Sequence, residues 1–272
     1  MALDGLSLHG IRGVVFDVDG TLVHRGPGGR AQPQPGAVEV LERIRASGRR
    51  LVLFTNGSHV PSARIAQGLR EDGLPIDDEE MMTPTDSATS YLLRRHSGAP
   101  VLTFASEPIR EWMSARGVVL TDGDDAEAVY VAHLDVIEVA AIERAARAVM
   151  RGAPLLTSSY VRGYAGANGI VFSRGAMITA AISKVSGARP KVLGKPSRAA
   201  LRELGARMGI PTGELLVVGD DLGMDVALGR MGGARTVLVR SGISGQIDLD
   251  RVPERQRPDA AIDRVADLLA VL

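Results

Sequence analysis

Four short segments of this chain hold residues whose types and spacing can do chemistry, and each sits beside a short apolar run or opens a helical pattern. The first is Asp17-Val18-Asp19-Gly20-Thr21, directly after Val14-Val15-Phe16. Two carboxylates two residues apart can supply a nucleophile, a metal ligand and an acid or base. A lone Asp-x-Asp is commonly no more than a solvated acidic turn; the attached Gly-Thr and the apolar strand ahead of it favour a site. The second segment is Thr55-Asn56-Gly57-Ser58, after Leu51 to Phe54. A hydroxyl and successive backbone N–H groups at a strand end can cradle phosphate oxygens, although Thr-Asn-Gly also makes an ordinary turn. The third is Gly194-Lys195-Pro196-Ser197, where Ser197 suits a helix N-cap. Lys195 reads either as a cation for phosphate or as a surface lysine. The fourth is Gly219-Asp220-Asp221, with Asp225 five residues beyond Asp220, following Leu215 to Val218. Three carboxylates after an apolar strand are costly unless they meet a cation. Magnesium takes oxygen ligands and only one or two carboxylates directly. Charge complementing a helix N-terminus accounts for Asp221, but not for acidic pairs at the ends of two separate strands.

The elements that must position these groups are legible in outline. Val14 to Phe16, Leu51 to Phe54, Leu215 to Val218 and Thr236 to Val239 are short, continuously apolar runs. Between and around them, Val38 to Ser47, Ser62 to Arg70, Arg198 to Met208 and a short stretch from Met224 to Met231 carry helical periodicity. Buried strands alternating with helices predict an α/β, doubly wound parallel sheet with helices on both faces. Sites in such sheets form at the carboxyl ends of the strands, which is where the acidic segments fall. The loop Arg25 to Pro35, RGPGGRAQPQP, is rich in Gly and Pro and is expected to lack regular structure.

The middle of the chain repeats the grammar without the acidic motifs. Val101 to Phe104, Ala128 to Val131 and Pro154 to Thr157 are strand candidates; Thr85 to Arg95, Glu107 to Ala115 and Ile137 to Met150 are helix candidates. The reading is an inserted α/β domain over residues 83–189, with residues 1–82 and 190–272 forming the core around it.

Composition narrows the function classes. The 272 residues are 45% hydrophobic and 24% charged, ordinary for a folded globular chain. Acidic and basic residues balance at 32 each, so neither nucleic acid nor an anionic membrane is favoured as a partner. The absence of cysteine excludes disulfides, zinc thiolate sites and a thiol nucleophile. His24, His59, His96 and His133 lack metal-ligand spacing. The start, MALDGLSLHG, does not read as a signal peptide and no apolar run approaches a membrane span; the expected location is the cytoplasm. Lysine occurs only at Lys184, Lys191 and Lys195, which raises interest in the one that lies in a motif.

Taken in order, D-x-D-G-T, T-N, G-K-P and G-D-x4-D resemble the four motifs of the haloacid dehalogenase-like superfamily, whose core is Rossmann-like. An insert between the second and third motifs, together with Pro35-Gly36-Ala37, Gly194-Lys195-Pro196-Ser197 and Val218-Gly219-Asp220, resembles the C2-capped subclass IIA of NagD-like and p-nitrophenyl phosphatase-like enzymes. The resemblance implies a magnesium-dependent phosphatase acting on a small-molecule phosphate ester. Asp17 would attack phosphorus and form an aspartyl-phosphate, and Asp19 would be the general acid and then base. Thr55, with backbone N–H groups of the Asn56-Gly57 segment, and Lys195 would hold the phosphoryl oxygens. Mg2+ would be bound by Asp17, Asp220 and the main-chain carbonyl of Asp19, with Asp225 and Asp221 behind these ligands. It also implies a homodimer through the cap, and a loop, Ser158 to Gly163, facing the leaving group, with Ser159, Tyr160 and Arg162 as contacts. Departures fall in that region: Thr55-Asn56-Gly57 stands where many relatives carry T-N-N, Leu156 to Tyr160 where the cap often reads A-T-N-P-D, and the loop His24 to Gln34 is long.

Three other functions use the same scaffold. A dehalogenase needs no metal and no second aspartate, so Asp19, Asp220 and Asp225 argue against it. A phosphomutase would keep all four motifs. A decayed, non-catalytic binding protein would be expected to lose one of Asp17, Asp19, Lys195 or Asp220, and all are present.

Overall fold

The computed structural model of the chain describes residues 6–26, 29–166 and 169–272; Pro27 and Gly28 of the long loop lie outside the described residues. Two compact units form, one from Met1–Thr55, Ala63–Met82 and Pro196–Leu272, the other from Asn56–Ser62 and Thr83–Lys195. The first unit begins with strand β1 (Gly13–Phe16), hairpin strands β2 (Val23–Arg25) and β3 (Ala31–Pro33), helix α1 (Ala37–Ala46), β4 (Arg50–Phe54), α2 (Ser62–Glu71) and β5 (Met81–Met82). The β2–β3 pair corrects the expectation of an irregular loop: Val23 faces Pro33 and Arg25 faces Ala31 in antiparallel register. Glycine is confined to the connection between the strands, and Pro33, which has no N–H to donate, occupies a strand end on a two-stranded ribbon.

The second unit contains α3 (Pro84–Arg95), β6 (Val101–Phe104), α4 (Glu107–Ser114), β7 (Leu120–Thr121), β8 (Ala128–Val131), α5 (Val139–Met150), β9 (Leu155–Thr157), β10 (Gly163–Gly166), β11 (Gly169–Phe172), α6 (Arg174–Ser186) and β12 (Lys191–Val192). Its five-stranded parallel sheet runs β12-β9-β8-β6-β7. Phe104, Val129, Val131 and Leu155 pack there with Ala145 and Val149 of α5 and Ile178 and Ile182 of α6. Helix α6 and the β10–β11 hairpin carry little local signal. Small residues occupy most of the α6 interior, leaving Ile178 and Ile182 as its large buried residues. Its start is set by Ser173, whose hydroxyl accepts from the Ala176 N–H at 3.2 Å.

The chain re-enters the first unit through α7 (Arg198–Met208), β13 (Leu215–Gly219), α8 (Ala227–Gly232), β14 (Arg235–Val239) and β15 (Ala260–Ile262). Ser197 caps α7, its hydroxyl accepting from the Ala200 N–H at 3.1 Å. The strands form a six-stranded sheet in the order β15-β14-β13-β1-β4-β5, and every pairing is parallel. It is the doubly wound sheet expected from the apolar runs. Val14 and Phe16 point to the face covered by Val40, Leu41 and Ile44 of α1 and Leu69 of α2. Val15 and Val217 point to the face covered by Leu201, Leu204 and Met208 of α7 and Leu228 of α8. From β1 the chain winds first toward β5 and later back toward β15, so the order reverses between β1 and β13. Open α/β sheets bind their ligands at such a reversal. Among the described residues no helix is long and apolar enough to cross a membrane.

Leu41 is wholly buried between α1 and the sheet, whereas Val136 is 81% exposed. Leu41→Ala should lower the free energy of unfolding in urea by about 2–5 kcal/mol through lost burial and a residual cavity. Val136→Ala should stay within about 0.5 kcal/mol of the native protein. Equal losses would show that the face covered by α1 is not part of the core.

Candidate active site

Asp17 is the first residue beyond β1 and Asp220 the first beyond β13. The two strands are neighbours, and the Asp17 N–H continues their ladder by donating to the Val218 carbonyl at 2.8 Å. One carboxylate oxygen from each of Asp17, Asp220 and Asp225 lies within 4.8 Å of the other two. Asp220 and Asp225 are buried, at 3% and 2% exposure, and Asp17 is half-buried. Were all three ionised, unit charges 4.8 Å apart would repel by about 3.5 kcal/mol per pair at an effective dielectric of about 20. The donor set is all hard oxygen and its cost falls when a divalent cation sits among the groups, so these residues fit magnesium.

Asp225 reaches the cluster because the segment after Asp220 is not a simple helix start. Leu222–Val226 forms a π-helical turn before α8, a wider turn than the short helix expected from Met224 to Met231. Such turns recur at functional sites. The Asp221 carboxylate caps it, accepting from the Gly223 N–H at 2.7 Å, and the Asp221 N–H donates to Asp225 at 3.2 Å. Asp221 thus holds the turn that carries Asp225.

The Asp220 carboxylate is enclosed by residues that the sequence reading missed. Its Oδ2 accepts from the Ile243 N–H at 2.7 Å, and its carbonyl accepts from the Ser244 N–H at 2.9 Å. A Cβ on Gly242 would stand 1.8 Å from that oxygen, and one on Gly20, whose φ is +86°, would stand 2.5 Å away. The Gly20 carbonyl accepts from Ser241 Oγ at 2.7 Å and from Gln34 Nε2 at 2.9 Å. A signal existed: Ser241 to Gly245 follows the apolar strand β14, as the recognised motifs follow theirs, but it contains no ionisable residue.

Asp19 stands apart from the acidic cluster. Its side chain is exposed and pairs with Arg25 of β2, Nε to Oδ1, at 2.5 Å. Thr21 is buried and its hydroxyl donates to Asp17 Oδ2 at 3.4 Å. Thr55 is buried at the end of β4, its N–H donating to the Met82 carbonyl at 3.3 Å.

In the second unit Lys195 is buried, and Asn56 is paired with its main chain. Gly57 is half-buried on the segment following Asn56. Ser159, Tyr160 and Arg162 follow β9. Tyr160 and Arg162 are exposed, while the Ser159 hydroxyl is buried with no hydrogen-bond partner among the described residues. The residue before them, Ser158, accepts at its carbonyl from the Gly194 N–H at 3.0 Å.

A doubly wound sheet with carboxylates at the reversal of strand order puts a group of metal-fitting residues where such folds bind their ligands. Residues 14–119 match the family described as haloacid dehalogenase-like hydrolase and residues 192–268 the one described as HAD-hydrolase-like; the chain belongs to this superfamily. It is 29% identical over 248 residues to the ribonucleotide monophosphatase NagD of Escherichia coli K12, covering 90% of this chain and 94% of that one. A p-nitrophenyl phosphatase from Archaeoglobus fulgidus superposes with a TM-score of 0.85 at 28% identity, covering 96% of this chain and 99% of that one. A glycerol phosphate phosphatase from Mycobacterium tuberculosis, solved in complex with magnesium, superposes at 0.84 with 26% identity, over 96% and 78% of the two chains. Within the superfamily the protein is therefore a NagD-like phosphoric monoester hydrolase of subclass IIA.

The crowding around Asp220 yields a test. Gly242→Ala should destabilise the protein by about 1–3 kcal/mol, because the new methyl cannot coexist with the Asp220 carboxylate. Gly68→Ala in α2, where a Cβ meets nothing within 4 Å, should stabilise by about 0.4–1 kcal/mol. Thermal midpoints of the two variants moving in the same direction would contradict this packing.

Proposed function

We propose that the protein is a magnesium-dependent phosphatase that hydrolyses a small-molecule phosphate monoester through a phosphorylated Asp17. The observation that carries this is the convergence of Asp17, Asp220 and Asp225 at the reversal between β1 and β13. In the first step a carboxylate oxygen of Asp17 bonds to phosphorus as the bond to the leaving oxygen breaks, and Asp19 gives its proton to that oxygen. In the second, Asp19 takes a proton from water. The water oxygen bonds to phosphorus, and the carboxylate of Asp17 is released with inorganic phosphate. Splitting the hydrolysis this way replaces one difficult displacement by two. The exposure of Asp19 suits a group that must meet both a leaving group and water.

The Thr55 hydroxyl, the N–H groups of the Asn56-Gly57 segment and Lys195 supply donors and positive charge for phosphoryl oxygens, which is where such a transfer needs help. Asp17, Asp220 and the Asp19 carbonyl would hold magnesium, with Asp225 and Asp221 steadying them; the ion would offset charge on the phosphoryl group. Residues 1–82 and 190–272 are read as the catalytic core and 83–189 as a C2-type cap. Relatives named for ribonucleotide monophosphates, glycerol phosphate and p-nitrophenyl phosphate support a small ester as the substrate.

Asp17→Asn should reduce turnover of p-nitrophenyl phosphate by far more than ~10-fold, the factor that ~1.4 kcal/mol represents, and should abolish the acid-stable phosphoprotein trapped from native enzyme. EDTA should stop native turnover. Asp220→Ala should raise the magnesium concentration needed for half-maximal rate well beyond the effect of Asp221→Ala, because the Asp221 carboxylate is spent on the Gly223 N–H. Undiminished turnover in metal-free buffer would remove this reading.

Leaving-group selection is assigned to Ser159, Tyr160 and Arg162. A guanidinium can clamp a second anionic group bidentately. Arg162→Ala should lower kcat/KM for the best metabolite by at least ~10-fold and barely change hydrolysis of acetyl phosphate. A uniform loss on both substrates would instead indicate a defect in the fold of the second unit.

A further inference from the structure

Lys195 is one of three lysines in the chain, and its residue is 3% exposed. The ammonium sits on a flexible four-carbon stem, so the place of the main chain sets the region it can reach, and what holds that main chain matters. Asn56 holds it from both sides. Asn56 Oδ1 accepts from the Lys195 N–H at 2.8 Å, and Asn56 Nδ2 donates to the Lys195 carbonyl at 3.0 Å. A carboxamide offers one carbonyl acceptor and an NH2 donor. Pairing both with the N–H and C=O of a single residue imitates the partner that residue would find in a sheet. It joins positions 139 apart in sequence.

The neighbouring contacts close the same clamp. Gly194 donates its N–H to the Ser158 carbonyl at 3.0 Å. A Cβ on Gly194 would lie 2.4 Å from that carbonyl oxygen and 2.7 Å from Asn56 Oδ1, so a side chain there would push the amide away. Ser158 Oγ and the Tyr130 hydroxyl share a hydrogen bond at 2.7 Å. Burial pushes the Tyr130 phenol up to about 12, which keeps it neutral as that partner. Tyr130 belongs to β8 and Ser158 follows β9, so the segment bearing Lys195 is tied to two central strands of its sheet.

We propose that Asn56 is a positioning residue: its carboxamide fixes the main chain of Lys195 and thereby the place of the ammonium, and its side chain acts on turnover through Lys195. The proposal rests on the reading of Lys195 as the cation of the phosphoryl site, and a double-mutant cycle separates the two. In the native background Asn56→Ala should lower kcat/KM for p-nitrophenyl phosphate by at least ~10-fold; in a Lys195→Met background the same change should cost less than about twofold, because residues that act as a unit are non-additive. Equal factors in both backgrounds would mean that the Asn56 side chain meets the substrate on its own, and no loss in the native background would mean that the clamp is idle; either overturns the proposal. Amide exchange supplies a readout independent of turnover. The Lys195 N–H should exchange at least ~100-fold faster in Asn56→Ala while the strands of the second sheet keep their protection; unchanged exchange overturns the clamp. Native turnover in Lys195→Met would remove Lys195 from the reaction and overturn the catalytic half of the proposal. Accelerated exchange in Asn56→Ala would show that the failure lay in the reading of Lys195 and not in the contact.

Discussion

Carboxylates gathered where little water reaches them repel one another, and Asp17, Asp220 and Asp225 are gathered in this way at the carboxyl ends of two adjacent strands. Much of the surrounding architecture can be read as the means of holding them there. Parallel pairing of β1 with β13 brings Asp17 and Asp220 side by side. The π-helical turn after Asp220 swings Asp225 back toward them, and Asp221 caps that turn. Backbone N–H groups from the loop after β14 fasten Asp220. A site assembled at this cost in repulsion suits a positively charged occupant.

The supports are unlike the groups they hold. Asp220 is walled by Gly20 and Gly242, which contribute space, and by main-chain donors. The main chain of Lys195 is held by an amide, that of Asn56. Ser241 and Gln34 act on the Gly20 carbonyl and so on the turn that carries Asp19. Fixing dipoles and donors in advance lets a site stabilise charge without reorganising when the charge develops.

These supports mark the boundary of what the sequence shows. The apolar runs before Asp17, Thr55 and Asp220 announced buried parallel strands, since a strand covered on both faces has no polar alternation. Helices α1, α5 and α7 were visible from their periodicity for the complementary reason, one face in the core and the other in water. The α6 helix was not, because small residues fill most of its interior and Ser173 is its main start signal. The β2–β3 hairpin was hidden by a composition that belongs to its turn. Arg25, the partner of Asp19, is an arginine in an arginine-rich chain and carries no local mark.

Local order along the chain therefore determined that acidic residues stand at strand ends and that the sheet is parallel and doubly wound, because strand and helix periods and strand-end placement are properties of consecutive residues. Tertiary structure alone decided that β1 lies against β13, that Asp225 joins Asp17 and Asp220, that the Ser241 to Ser244 loop closes on Asp220, and that Asn56 spends its amide on Lys195. The physical reason is that a buried donor or acceptor must find a partner, but which partner it finds depends on how distant segments pack, and no period along the chain records that choice.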